Sequence, residues 1–159
     1  MAMIRYVIIM LLVVAYSYNS LAQTQKGSSP AYDAALTKRL GADEYGMKTY
    51  IMVFLKEGPN RLKDSAAREQ LQNAHLKNIF KLAAEGKLIV AGPFLDNQEI
   101  KGIFIFNVST IEEAKQLSET DPAVKAGSLI MELHPWYGSA ALVETLEIHN
   151  KIQKKSIVN

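Results

Sequence analysis

From Thr49 to Leu55 the chain reads TYIMVFL. β-branched and aromatic residues fill this run and Gly58, Pro59 and Asn60 close it, which is the signature of a strand. Successive side chains of a strand point to opposite faces, so Tyr50, Met52 and Phe54 share one and Ile51, Val53 and Leu55 the other. Neither set carries a charge. The run IFIF at 103–106 repeats the pattern. A sheet with one wet face alternates apolar with polar residues, so here both faces need cover. Two helices from a chain of this length cover a single face. The second face then requires the same face of another copy, giving a C2 homodimer whose two sheets pack into a barrel. The last helix of the chain is an intrachain alternative for part of it.

The rest of the chain supplies the other elements. A polar lead with Asp64 or Ser65 as cap opens a helix that runs to about Glu85 and ends at Gly86. Lys87 to Ala91 is a second strand, broken by Gly92 and Pro93. After the polar turn Asp96 to Lys101, Gly102 to Val108 forms the third strand, antiparallel to the second. Ser109 or Thr110, with Glu112 and Glu113 in the first turn, starts a second helix that stops at Thr120, Asp121 and Pro122. One short turn ends at Gly127 before a fourth strand, Ser128 to His134. The order is βαββαβ, the ferredoxin-like arrangement of an α+β fold. A final amphipathic segment, Ala140 to Ile152, adds an extra C-terminal helix.

Ahead of this domain, residues 1–22 have Arg5, a short apolar run from Tyr6 to Tyr16 and the small-x-small step Ser20, Leu21, Ala22. That is the pattern of a secretory signal peptide cleaved between Ala22 and Gln23. The apolar run is shorter than the ~20 residues a spanning helix needs. The mature chain is therefore expected in the periplasm or secreted, with no stable membrane insertion. Residues 23–46 form a flexible N-terminal segment with one short helix, Tyr32 to Leu40, ended by Gly41. The domain covers 47–137, and 138–159 hold the C-terminal helix and tail.

The chain of 159 residues is 48% hydrophobic, and its formal net charge of +2 comes from interleaved acids and bases. Without a basic block, no nucleic-acid surface is expected. There is no cysteine, which removes disulfides, thiolate metal sites and thiol nucleophiles together. The three histidines lack HxxxH or HExxH spacing, and no serine sits in a GxSxG elbow. Neither a metal nor a cofactor is implied.

One histidine is out of place. At about 100° per residue, Leu71, Leu76, Ile79, Phe80, Leu82 and Ala83 fall on one half of the first helix, and His75 falls among them. It is either a satisfied core residue or part of a site. A histidine titrates near neutrality and suits general acid/base work.

Ala74, His75 and Leu76, then Glu85 to Leu88, Ala91 to Pro93, Glu113 and Ala114, and Asp121 and Pro122 with Ala126 and Gly127, together resemble the YciI-like family over about residues 48–137. The resemblance implies a ferredoxin-like fold of the dimeric α/β barrel superfamily. It also implies a site made of a histidine in the first helix and an aspartate at the Asp-Pro step, here His75 and Asp121. The few reactions associated with the family are eliminations or isomerisations of small, often aromatic compounds. Asp121 also suits a plain helix cap with Pro122 at the first helical position, and its two oxygens allow both roles. The alternative to an enzyme is a homodimeric module that binds a small ligand or a partner.

Three further residues are candidates for substrate contact. Glu132, His134 and Trp136 share one face of the last strand, and His134 and Trp136 suit the mouth of a pocket for a flat ligand. Tyr50 belongs to the same surface. More often, a tryptophan beside a proline at a strand end is a plug at the core edge or dimer seam. His149, on the stripe of Leu142 and Leu146, reads as helix packing, and Arg61 and Arg68 as solvated charges.

Overall fold

The computed structural model describes residues 31–157. The expected leader and residues 23–30 of the N-terminal segment lie outside the described residues. From Ala34 onward the chain forms one unit. It starts with the short helix α1, Ala34–Leu40. Leu40 is buried, and Arg39 pairs with Glu144 near the other end of the chain. Strand β1, Met47–Glu57, follows.

Helix α2, Ser65–Ala84, opens where Asp64, in extended conformation, accepts the Ala67 amide at 2.8 Å. Such a cap satisfies a donor that the helix itself cannot pair. It closes at Gly86, which takes φ +67°, a conformation that glycine adopts without steric cost. Strands β2, Leu88–Pro93, and β3, Ile100–Phe106, make the hairpin. Helix α3, Ile111–Ser118, is capped by Thr110, and the one-turn helix α4, Pro122–Lys125, by Asp121.

Strand β4, Leu129–Ser139, runs past the expected end at His134 and straight through Pro135. The sheet order β2-β3-β1-β4 makes β4 an edge strand, where a missing amide donor costs no ladder bond. The final segment is not one helix. A 3-10 turn, Ala140–Glu144, precedes helix α5, Thr145–Ile152. Among the described residues no helix is long and apolar enough to cross a membrane.

The βαββαβ order and the α+β class are present, with every strand pair antiparallel. The expected barrel is not. The four strands form one open sheet, with β2 and β4 at its edges. Ile51, Val53, Leu55, Phe104 and Phe106 pack beneath the helices against Leu82, Leu88 and Ala114. Each such buried side chain stabilises the fold by roughly 1.5–3 kcal/mol. On the opposite face, Leu142 and Val143 of the 3-10 turn pack on Tyr50, Ile89 and Ile105. The turn reaches that face because β4 ends beside the start of β1, where the Ala140 amide donates to the Gly46 carbonyl at 3.0 Å. The chain's own tail thus supplies part of the cover that the barrel was expected to give.

Candidate active site

His75 and Asp121 meet beneath the sheet-facing side of α2. The Asp-Pro step places Asp121 in extended backbone as the cap of α4, where one oxygen, Oδ1, accepts the Ala123 amide at 2.8 Å. The other, Oδ2, lies 2.7 Å from His75 Nδ1. His75 is 7% exposed and Asp121 1%. Against an ionised carboxylate, which only accepts, Nδ1 is the donor, and in the neutral form of the imidazole Nε2 keeps the lone pair. Phe104 stacks on the imidazole, ring centres 6.0 Å apart and planes within 18°. Carboxylate and phenyl ring together fix the tautomer and the plane of the ring.

The dyad is not sealed. His75 lines a cavity of about 370 Å³ between α2 and the β2–β3 hairpin. Leu55, Leu76, Ile79 and Phe104 form much of its wall, Gln72 and Lys101 add polar groups, and Ile157 closes one side from the tail. Among the described residues the hydrogen bond of the ring is the one that Nδ1 makes with Asp121. A buried imidazole paired with a carboxylate at the wall of a largely apolar cavity is consistent with acid/base catalysis.

The other candidates lie elsewhere. Tyr50, His134 and Trp136 are on the opposite face of the sheet and do not reach His75. Tyr50 is fully buried and donates to the Ser139 carbonyl at 3.0 Å. Burial pushes its phenol above the ordinary value. Its ring lies 5.9 Å from that of Trp136. The His134 ring lies 5.5 Å from that of Phe54, tilted by 60°, and pairs with Glu132. Lys56 first, then His134, holds the Glu132 carboxyl below the usual range. His149 borders a separate, smaller groove between α2, β2 and α5. Among the described residues no group of three or more metal-binding side chains converges.

Sequence reasoning missed Gln72, Phe104 and Lys101 as cavity residues. Phe104 reads as ordinary core. Lys101 sits at a break in strand pairing that nothing in its neighbours announces except Gly102.

The YCII-related domain matches residues 49–137, more than half of the chain. No curated protein matches. Among solved structures, the chain is similar to 5-chloro-2-hydroxyhydroquinone dehydrochlorinase (TftG) from Burkholderia phenoliruptrix AC1100, in complex with 2,5-dihydroxybenzoquinone. Identity is 25%, over 55% of this chain and 92% of that one, with a TM-score of 0.42. The matched residues run from the third residue of β1 to within two residues of the end of β4 and include His75 and Asp121, and on that match the chain belongs to the YCII-related domain family.

Proposed function

We propose that the protein is a small-molecule enzyme that transfers a proton by acid/base chemistry, with His75 as the base and Asp121 as its positioning residue. The observation that carries this reading is the 2.7 Å contact between His75 Nδ1 and Asp121 in a histidine that lines a cavity. Nε2 takes a proton from an acidic carbon of the substrate, and the Asp121 carboxylate stabilises the imidazolium. Return of that proton to a different carbon is an isomerisation. Departure of a leaving group with the electron pair of its bond, as the carbanion electrons form the new double bond, is an elimination. Two side chains suffice for either.

The test is solvent deuterium uptake, followed by NMR, in a panel of small enolisable and phenolic compounds. His75→Ala and His75→Gln should lower exchange by ~10² or more with the fold intact by circular dichroism. Undiminished exchange in a folded His75→Gln variant overturns the assignment. Folded wild-type protein that binds members of the panel and exchanges none would be a binding module.

Two further points belong to the same reading. The far sheet face keeps Phe54 and Ile103 only half-buried and Ile130 48% exposed, which supports self-association of the chain. Sedimentation of a monomer at micromolar concentration would sink this. Arg5, the run Tyr6–Tyr16 and the Ser20–Ala22 step support export to the periplasm or beyond. Mature protein whose first residue is Met1 would refute it.

A further inference from the structure

Lys101 reaches the rim of the cavity through a departure from strand geometry. Phe104 and Phe106 face the helices, so strict alternation puts Gly102 with them and Lys101 on the opposite face. The pairing breaks here. Leu55 lies opposite Gly102 and Lys56 opposite Ile100, which leaves Lys101 without a partner on β1. An extra residue of this kind bends a strand and re-aims a side chain. Lys101 accordingly lines the chamber beside His75, and its Nζ turns to Glu57, which follows Ile51, Val53 and Leu55 on the helix-facing side of β1.

Two lysines at this end of the sheet are held very differently. Lys56, on the far face, lies 2.9 Å from Glu99 and 2.8 Å from Glu132. Lys101 is 3.7 Å from Glu57, which also pairs with Arg61, and 3.4 Å from the side-chain oxygen Oδ1 of Asn97. The charge of Lys56 is fully engaged, whereas that of Lys101 is only loosely countered. A cation at the edge of an apolar chamber attracts an anion more strongly than it does in water.

The geometry points to Lys101 as the anchor of an anionic ligand. That ligand is a small, mostly apolar molecule with one oxyanion, a carboxylate or a phenolate, at Lys101 and its body over Phe104 within reach of His75. This assigns a substrate class to the chamber and so rests on the acid/base reading of it.

The experiment is an NMR titration of the full chain with benzoate, 4-nitrophenolate and neutral benzamide, following the His75 ring and the methyls of Leu76 and Ile79. At least one of the two anions should bind ~10-fold or more tighter than benzamide, and added salt should weaken that anion alone. The tighter anion identifies the oxyanion as carboxylate or phenolate. Lys101→Met should abolish the preference and Lys101→Arg keep it. Equal binding of benzamide and both anions, or an undiminished anion preference in folded Lys101→Met, overturns the proposal. The two readings fail separately. A chain that prefers anions through Lys101 but moves no proton keeps the anchor and loses the catalyst; one that exchanges protons without an anion preference does the reverse.

Discussion

Asp121 divides its carboxylate between two duties, one oxygen 2.7 Å from His75 Nδ1 and the other 2.8 Å from the Ala123 amide. The same side chain that starts α4 orients the imidazole 46 residues earlier in the chain. Helix placement and site chemistry are therefore coupled. The two substitutions that separate them should behave differently.

Asp121→Ala removes both bonds, the cap at about 1 kcal/mol and the partner of a buried imidazole at roughly 1–3 kcal/mol. Urea unfolding should give a loss of about 2–4 kcal/mol, the sum of those two effects. Asp121→Asn keeps an oxygen for the cap and should cost about half as much, yet lower proton exchange nearly as far as His75→Gln. An Asn variant with full exchange activity would show that the carboxylate charge does not serve His75.

The loop after β1 is clamped to the turn after α4. The Gly58 amide donates to the Ser128 carbonyl, the Asn60 amide to that of Gly127, and the Asn60 side chain to that of Ala126. A Cβ on Gly58 would collide with the Gly127 carbonyl oxygen. Gly58→Ala should cost about 1–3 kcal/mol, in the range of an overpacked site, and displace the turn that carries Asp121. A melting temperature equal to wild type would contradict the clamp.

Asp43 closes the approach to β1, accepting the Tyr45 and Met47 amides at 2.9 Å and the Tyr137 hydroxyl. The Tyr137 hydroxyl first, then the Met47 amide, holds the carboxyl below its ordinary value. A depressed folded pKa means stability that is present above the unfolded value, near ~4, and is lost as pH falls through the folded one. Tyr137 is shifted up by the same bond, so its contribution holds below ~10 and fades as pH rises through its folded value. Thermal melts of wild type and Asp43→Ala should differ by a constant amount around neutrality and converge in acid. Parallel curves down to about pH 2 would refute the link.

Leu142 and Val143 cover the sheet face that the helices leave bare. Since both are half-buried, Leu142→Ala and Val143→Ala should each cost about 1–2 kcal/mol, below the full large-to-small penalty. Denaturant midpoints unchanged by both would mean that the tail does not hold this face.

Much of the architecture was legible from local signals. Asp64, Thr110 and Asp121 act as caps and Gly86 as a stop, because capping and positive φ are matters of a few neighbouring atoms. The doubly apolar TYIMVFL run calls for cover on both faces, and the far face has it in part. The run left two suppliers open, a second copy or the last helix. A strand reports that its faces are dry, and the tail that dries one of them lies some ninety residues downstream. The barrel was inferred from that silence, and the open sheet with its own tail folded across replaced it.

The site divides in the same way. The sequence by itself determined that His75 lies on an apolar helix face and that Asp121 caps a proline-led turn, because helical period and cap chemistry are short-range. Only the tertiary structure decided that these two face each other at 2.7 Å, that Tyr50, His134 and Trp136 lie across the sheet from them, and that a skipped pairing brings Lys101 to the wall of the cavity that His75 lines. Alternation assigns a side chain to a face only while the register holds. Where a bulge breaks it, the direction of a residue belongs to the packing of whole strands, which no window of neighbours encodes.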